Sequence, residues 1–284
     1  MMFTKDGLGI DYVDPISSQW EVWDAWALAD RGHTVYWLNQ ENRPPHGLDI
    51  YYCVVDREAM RCADLARDSA KHWVLQHINR LADYPDPIWD QIKQVQRTAS
   101  AFVCTAPVSL RAVVKWMEEN KHIVPCEYIP FGADMSLADG GPLEPECFTY
   151  VGNLIAHKQV NVLVDAFSDI PATLVLAGDG QERPNLDLQA RILGTKLMFA
   201  GIVSNAQKYT ILKHSHALVL ASSGEQFNIP TLEALAVGIP VLAKRVPDME
   251  DIYGDMVDYW NSPDELVEKA NRVLKEGRGD IEAR

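Results

Sequence analysis

The chain has 284 residues, 47% apolar and 23% charged, a globular composition that excludes disorder and is long enough for two domains of about 130–150 residues. Its net charge of −14 is evenly spread, with 20 acidic and 13 basic side chains in residues 1–140 and the same in 141–284, so nucleic acid and anionic membrane are both disfavoured as partners. The five cysteines (Cys53, Cys62, Cys104, Cys126, Cys147) form no CxxC pair, no run nears the roughly 18 apolar residues of a span, and MMFTKDGLGIDY lacks an apolar export core, so reduced thiols and a cytoplasmic location are expected.

Short β-branched and aromatic runs alternate with amphipathic stretches along most of the chain. Strands are predicted at 8–13, 34–38, 49–55, 72–76, 100–104 and 125–129. Between these strands lie helical patterns, clearest in SSQWEVWDAWALADRG, with Ser17 or Ser18 as its cap and Gly32 at its end. The segment FGADMSLADGGPLEPE (131–146), rich in glycine, proline and acids, breaks the pattern and reads as a linker. Strands then resume at 148–152, 172–178, 196–201, 216–222, 240–244 and 256–260, with helices near 159–168, 183–193, 206–214, 230–237 and 263–276. Alternating βα units with apolar strands predict an α/β protein of two Rossmann-like, doubly wound parallel-sheet domains, residues 1–134 and 147–284. Such sheets bind ligands at the carboxyl ends of their strands, so the site is expected in the cleft between the domains.

Three loops of the second half carry candidate chemistry. After FTYVG come Gly152 and Asn153, then His157-Lys158-Gln159 opening a helix. A lysine at a helix start opposes the macrodipole, but beside a bound diphosphate it is well placed. AGDGQE (177–182) is a weaker signal, because tight strand-to-helix turns need glycine anyway. The third loop, LASSGEQFNIPTLEALAVGIPVLA (220–243), has Glu225 after a strand and Glu233 eight residues on, read as lying in the first turn of a helix. Asn228 and Pro230 suit the start of that helix. Amides near Asn228, Ile229 and Thr231 are expected to stand free as an anion cradle. The two carboxylates would flank it and accept hydrogen bonds from sugar or ribose hydroxyls.

These loops together resemble the nucleotide-sugar-binding domain of glycosyltransferase family 4, the retaining, glycogen-synthase-like group of the GT-B fold. EQFNIPTLEALAVGIPVLA stands where that family has EGFGLPxLEAMAxGxPVVA, YVGNLIAHKQVNVLVDAF is similar to its YVGRLxxxKGxxxLIxAF, and LVLAGDGQE to its LVIVGDGPE. The resemblance covers about 110 residues in matching order. In the first half, SSQWEVWDAWALADRGHTVYWL resembles GGxExxxxxLAxxLxxRGHxVxVx, HWVLQHINRL the family's vvxTxHd segment, and YIPFGAD its VIPNGVD. The sequence departs from the family at Asn153, where a phosphate-binding arginine is usual, at Gln226 and Asn228 in place of two glycines, and at Ser17-Ser18 in place of Gly-Gly. Lys244 and Arg245 are the basic residues weighed as substitutes for that arginine.

The resemblance implies a glycosyltransferase moving a hexose-type sugar from a UDP- or GDP-sugar to a hydroxyl acceptor, with retention and without metal or other cofactor. It implies catalytic roles for Glu225 at the donor sugar, His77 beside it and Lys158 on the diphosphate. Glu233 would take the ribose, and Gly152, Asn153, Gln226, Phe227, Asn228, Ile229, Thr231, Ser17 and Ser18 the rest of the donor, with Val203 near the base. The alternative weighed beside it is a non-catalytic nucleotide-sugar-binding or scaffold protein of the same fold.

Overall fold

The computed structural model describes Arg31, residues 96–225 and 227–278, and the backbone of four short strands before them. The chain divides into two compact units, Met1–Phe131 and Gly132–Arg284. In the first, β1 (Met2–Phe3) pairs antiparallel with β2 (Val35–Tyr36). That pairing differs from the parallel sheet expected there, and the strand and helix expected over 8–13 and 17–32 lie outside the described residues, Arg31 excepted. A parallel sheet follows in chain order: β3 (Ile50–Cys53), β4 (His72–His77), β5 (Ala101–Cys104) and β6 (Cys126–Tyr128). Helix α1 (Pro107–Asn120), in one of the intervals where helical patterns are expected, starts on a proline suited to the first turn. It buries Val113, Trp116 and Met117 on one face, and Trp116 meets the ring of Phe102 edge-on at 6.0 Å.

The second unit begins with the segment expected to be a linker. Instead of bridging freely, it is bound to its own unit. The Asp134 side chain caps α2 (Met135–Ala138), and its main-chain N–H donates to the Tyr209 hydroxyl at 3.0 Å. Leu143 and Glu146 donate to the carbonyls of Lys213 and His214, and the Arg278 guanidinium donates to those of Leu143, Lys213 and Ser215. Composition marked this stretch as irregular, but irregular backbone still needs partners, and here the neighbouring loop supplies them.

The elements after it are β7 (Cys147–Val151), α3 (Val160–Ala166), β8 (Thr173–Ala177), α4 (Arg183–Leu193), β9 (Leu197–Gly201), α5 (Asn205–Lys213), β10 (Ser215–Leu220), α6 (Ile229–Val237), β11 (Val241–Lys244), α7 (Pro247–Tyr253), β12 (Asp258–Trp260) and α8 (Pro263–Glu276). All six strands pair in parallel, in the order β12-β11-β10-β7-β8-β9. The sheet is parallel because a helix intervenes in every crossover, and its central strands are buried on both faces, which is why they read as apolar runs. The chain winds from β7 out to β9 and then returns to set β10 on the other side of β7. That reversal is the topological switch point, where neighbouring loops diverge and leave a crevice.

Local chemistry fixes the helices. Ser204 and Gln207 form a reciprocal capping box on α5. Ser262 caps α8, whose first turn carries Asp264 and Glu265 and whose Leu266, Ala270 and Val273 repeat on one buried face. Helix α7 was not anticipated, although Pro247 at its start is a signal for it. Among the described residues no helix is long and apolar enough to cross a membrane.

Candidate functional site

In an all-parallel sheet, the loops that follow the strands lie along one edge. Those after β7 and β10 flank the switch point, and they bring Lys158 and Glu225 together. The Lys158 Nζ donates to Glu225 Oε1 at 2.5 Å, and the Ser222 hydroxyl donates to the same oxygen at 2.7 Å. The Lys158 side chain is 19% exposed and that of Glu225 10%. Both loops are also tied main chain to main chain, since the Ser223 N–H donates to the His157 carbonyl at 3.0 Å.

Lys158 sits not at the start of an α-helix, as the sequence suggested, but in a single 3₁₀ turn, Ala156–Lys158, ahead of α3. Gln159 separates the two with φ +50°, a left-handed conformation that few L-residues adopt and that the resembled family fills with glycine. Its side-chain carbonyl accepts from Lys244 Nζ at 2.8 Å, so Lys244 is anchored next to Lys158. Arg245 turns elsewhere, pairing with Glu250 and lying over the Tyr259 ring.

The loop bearing Lys158 rests on the Gly178-Asp179-Gly180 turn. A Cβ at Gly178 would lie 1.9 Å from the Gly152 carbonyl oxygen, and one at Gly180 2.3 Å from that of Leu154. These glycines therefore serve close backbone packing. Gly152 itself stands at φ +150°. Asn153 is exposed and accepts the Tyr150 hydroxyl through its carbonyl at 2.9 Å. Burial, and then the charge of Glu225, push the Tyr150 phenol well above its usual range.

Helix α6 opens with Asn228 as its cap. Asn228 Oδ1 accepts from both the main-chain N–H and the hydroxyl of Thr231, each at 3.0 Å. This corrects one expectation: Thr231 is buried and its amide is already satisfied, so it does not contribute to an open cradle. The capping that Asn228 was expected to provide is what occupies it. Among the described residues, the Asn228 and Ile229 main-chain N–H groups have no acceptor in the chain, and Pro230 has no N–H to offer. The Phe227 ring packs at 5.9 Å from that of Tyr253, whose hydroxyl donates to the Asn228 carbonyl.

Glu233 is the fifth residue of α6, beyond its first turn rather than in it. Its side chain is only 5% exposed, and its Oε1 accepts from Lys208 Nζ, on α5, at 2.5 Å. Its Oε2 is buried with no hydrogen-bond partner. Burial raises the carboxyl pKa above the ordinary carboxylate value, with the lysine charge and hydrogen bond opposing that rise. Lys208 was not singled out from sequence. Val203, half-buried, lies in the loop after β9, just before the Ser204 cap.

Of the other expected site residues, Ser17, Ser18 and Gln226 lie outside the described residues. His77 ends β4 as its segment was expected to, in the first unit, and its side chain lies outside the described residues.

A family model described as "Glycosyl transferases group 1" matches residues 138–284. Over 137 residues the chain is 31% identical to the uncharacterized glycosyltransferase MJ1607 of Methanocaldococcus jannaschii, covering 45% of this chain and 35% of that protein. It is 31% identical over 107 residues to the D-rhamnosyltransferase WbpZ of Pseudomonas aeruginosa, covering 37% and 28%. The matched stretch spans about a third of the length of these curated relatives. Among solved structures, Anabaena Alr3699/HepE in complex with UDP and glucose is similar with a TM-score of 0.72 at 17% identity, over 82% of this chain and 70% of that one. At that identity the likeness shows the fold, α/β with parallel sheets of the GT-B class.

Proposed function

From the premise that the chain belongs to the group 1 glycosyl transferases, we propose that it transfers a hexose-type sugar from a UDP- or GDP-sugar to a hydroxyl acceptor, retaining anomeric configuration and using no metal. The observation that carries this reading is the Lys158–Glu225 pair across the sheet's switch point, next to the Asn228 and Ile229 amides, for which no described residue is an acceptor. A lysine and two main-chain donors make a preorganised anion site, suited to the charge that develops on a departing diphosphate. The similar HepE structure holds UDP and glucose, which is the ligand class this chemistry fits.

In the proposed reaction the donor diphosphate takes Lys158 from Glu225. Glu225 is then free to accept hydroxyls of the donor sugar, and the departing phosphate takes the proton of the acceptor hydroxyl. Glu225 is not assigned as a nucleophile. Glu233 accepts the ribose hydroxyls through Oε2, the oxygen left without a partner. The reading places the reaction in a reducing cytoplasm, in keeping with Cys104, Cys126 and Cys147 standing outside any disulfide.

Thermal shift against UDP, GDP and their sugars tests donor binding, because a specific ligand raises apparent stability by mass action. Donor turnover is then followed with and without EDTA. The expected result is stabilisation by one nucleotide family and turnover that EDTA changes less than about twofold. Tight binding with no turnover over a panel of donors and acceptors would instead identify a non-catalytic binding protein, and loss of turnover in EDTA would overturn the metal-independent mechanism.

A further inference from the structure

Lys208 stands outside every motif that defines the site, yet it makes one of the chain's most enclosed ion pairs. It projects from α5 with its side chain 16% exposed, and its ammonium meets Glu233 Oε1 at 2.5 Å. The carboxylate it meets is buried, and a buried carboxylate without a cation loses its charge by taking up a proton. Among the described residues, the partner of Glu233 is Lys208. An aromatic ring stands beside the pair. The Lys208 ammonium lies 5.8 Å from the Tyr209 ring, and the Tyr209 hydroxyl is engaged by the Asp134 main-chain N–H. Burial pushes the Tyr209 phenol up to about 12, with the nearby Glu233 carboxylate adding to the rise.

The geometry of the pair is asymmetric. Lys208 takes one oxygen, and the second is buried with nothing to accept from. An anionic oxygen in that state favours a neutral hydroxyl donor over a second cation, because a hydrogen bond satisfies it without adding charge. We infer that Lys208 is a positioning residue for the nucleotide: by holding Oε1 it keeps Glu233 an acceptor and presents Oε2 to the ribose diol. This rests on the donor-binding reading given above, and adds to it a residue that reads the ribose without touching it.

The experiment measures calorimetric affinities for UDP and GDP and for their 2′,3′-dideoxy forms in the full chain. The variants are K208M, K208R, E233Q and K208M/E233Q, with folding checked by circular dichroism. The wild type is expected to prefer the ribo form of its nucleotide by about 10- to 100-fold, the range of hydrogen bonds to a charged group. K208M should lose most of that preference by weakening the ribo form alone, K208R should keep part of it, and the double variant should lose no more than E233Q. Should K208M fail to fold, the double variant, in which no charge is left unpaired, and K208R decide the question by the same preference. A folded K208M that keeps the wild-type preference, or losses that add in the double variant, would overturn the role of Lys208 while leaving Glu233 at the ribose. A wild type with no diol preference, or no affinity for either diphosphate, would overturn the donor-binding reading itself, and this inference with it.

Discussion

Glu225 and Glu233 are eight residues apart in one loop-and-helix segment, and each meets a lysine at 2.5 Å. Their surroundings nonetheless leave them in different states. Two donors, Lys158 and Ser222, converge on one oxygen of Glu225, and the pair joins the loops after β7 and β10. Glu233 lies between two packed helices with one donor and one oxygen unmatched. The first pair is a contact that an arriving anion can open, because phosphate offers the lysine a better-charged partner. The second is a fixture, and its chemistry lies in what it leaves over. Charge pairs that look alike in a contact map can thus serve opposite ends, one by breaking and one by persisting.

Lys158→Met cuts at the pair meant to open, and gives the largest expected effect. Removing a preorganised donor to a leaving group costs about 10²–10³ in kcat, while far-UV circular dichroism should remain that of the parent. A variant with parental kcat would show that the diphosphate lies elsewhere and that the pair is only structural.

Next in size is the pH response of the persisting pair. The Glu233 pKa is raised in the fold, so its contribution to stability is complete below the unfolded value of about 4.5 and is lost as pH rises through the folded value. Nucleotide affinity should move the other way over the same interval, because the ribose needs the ionised acceptor. E233Q should flatten both curves and lower affinity at neutral pH by about tenfold or more. Denaturant midpoints and calorimetric affinities across pH 4–7 check this, and curves that shift together, rather than oppositely, would mean that the carboxyl is not the acceptor.

The smallest effect concerns the footing of the opening pair. Gln159→Gly relieves a left-handed L-residue but frees a chain with more unfolded conformations, for a net gain of roughly 0.5–1 kcal/mol. If thermal melting instead shows a loss, the Gln159–Lys244 hydrogen bond outweighs the backbone strain, and Lys244 becomes the residue to examine.

The second unit was legible because its strands are buried on both faces and its helices carry their own caps. The helices expected at 230–237 and 263–276 stand at Ile229–Val237 and Pro263–Glu276, the first closed by Gly238 and the second opened by Ser262. The order along the chain likewise put Glu225 in the loop after a strand and Glu233 on the helix that follows, although deeper in that helix than its first turn. What could not be read was partnership between elements. Nothing local in QKYTILK distinguishes Lys208 from a solvated lysine, because its meaning comes from Glu233 on another helix. The Thr231 amide was misjudged for a different reason. Asn228 was recognised as a cap, and a cap by its nature consumes the donors that a cradle would need. The 131–146 segment shows a third limit, since composition identifies irregular chain but not what holds it.

The interlock between the Gly152 and Gly178 backbones separates two kinds of tolerance. The start of the loop that carries Lys158 is seated on main-chain atoms with no space between them, so almost any side chain introduced at Gly178 would shift that loop. The Glu225 turn is held chiefly by side chains and by a main-chain bond to His157, so the residues around Glu225 have more room to change than those beneath Lys158. Sequence drift and directed evolution should therefore find new donor preferences by rewriting 222–228, while the seat beneath Lys158 stays as it is.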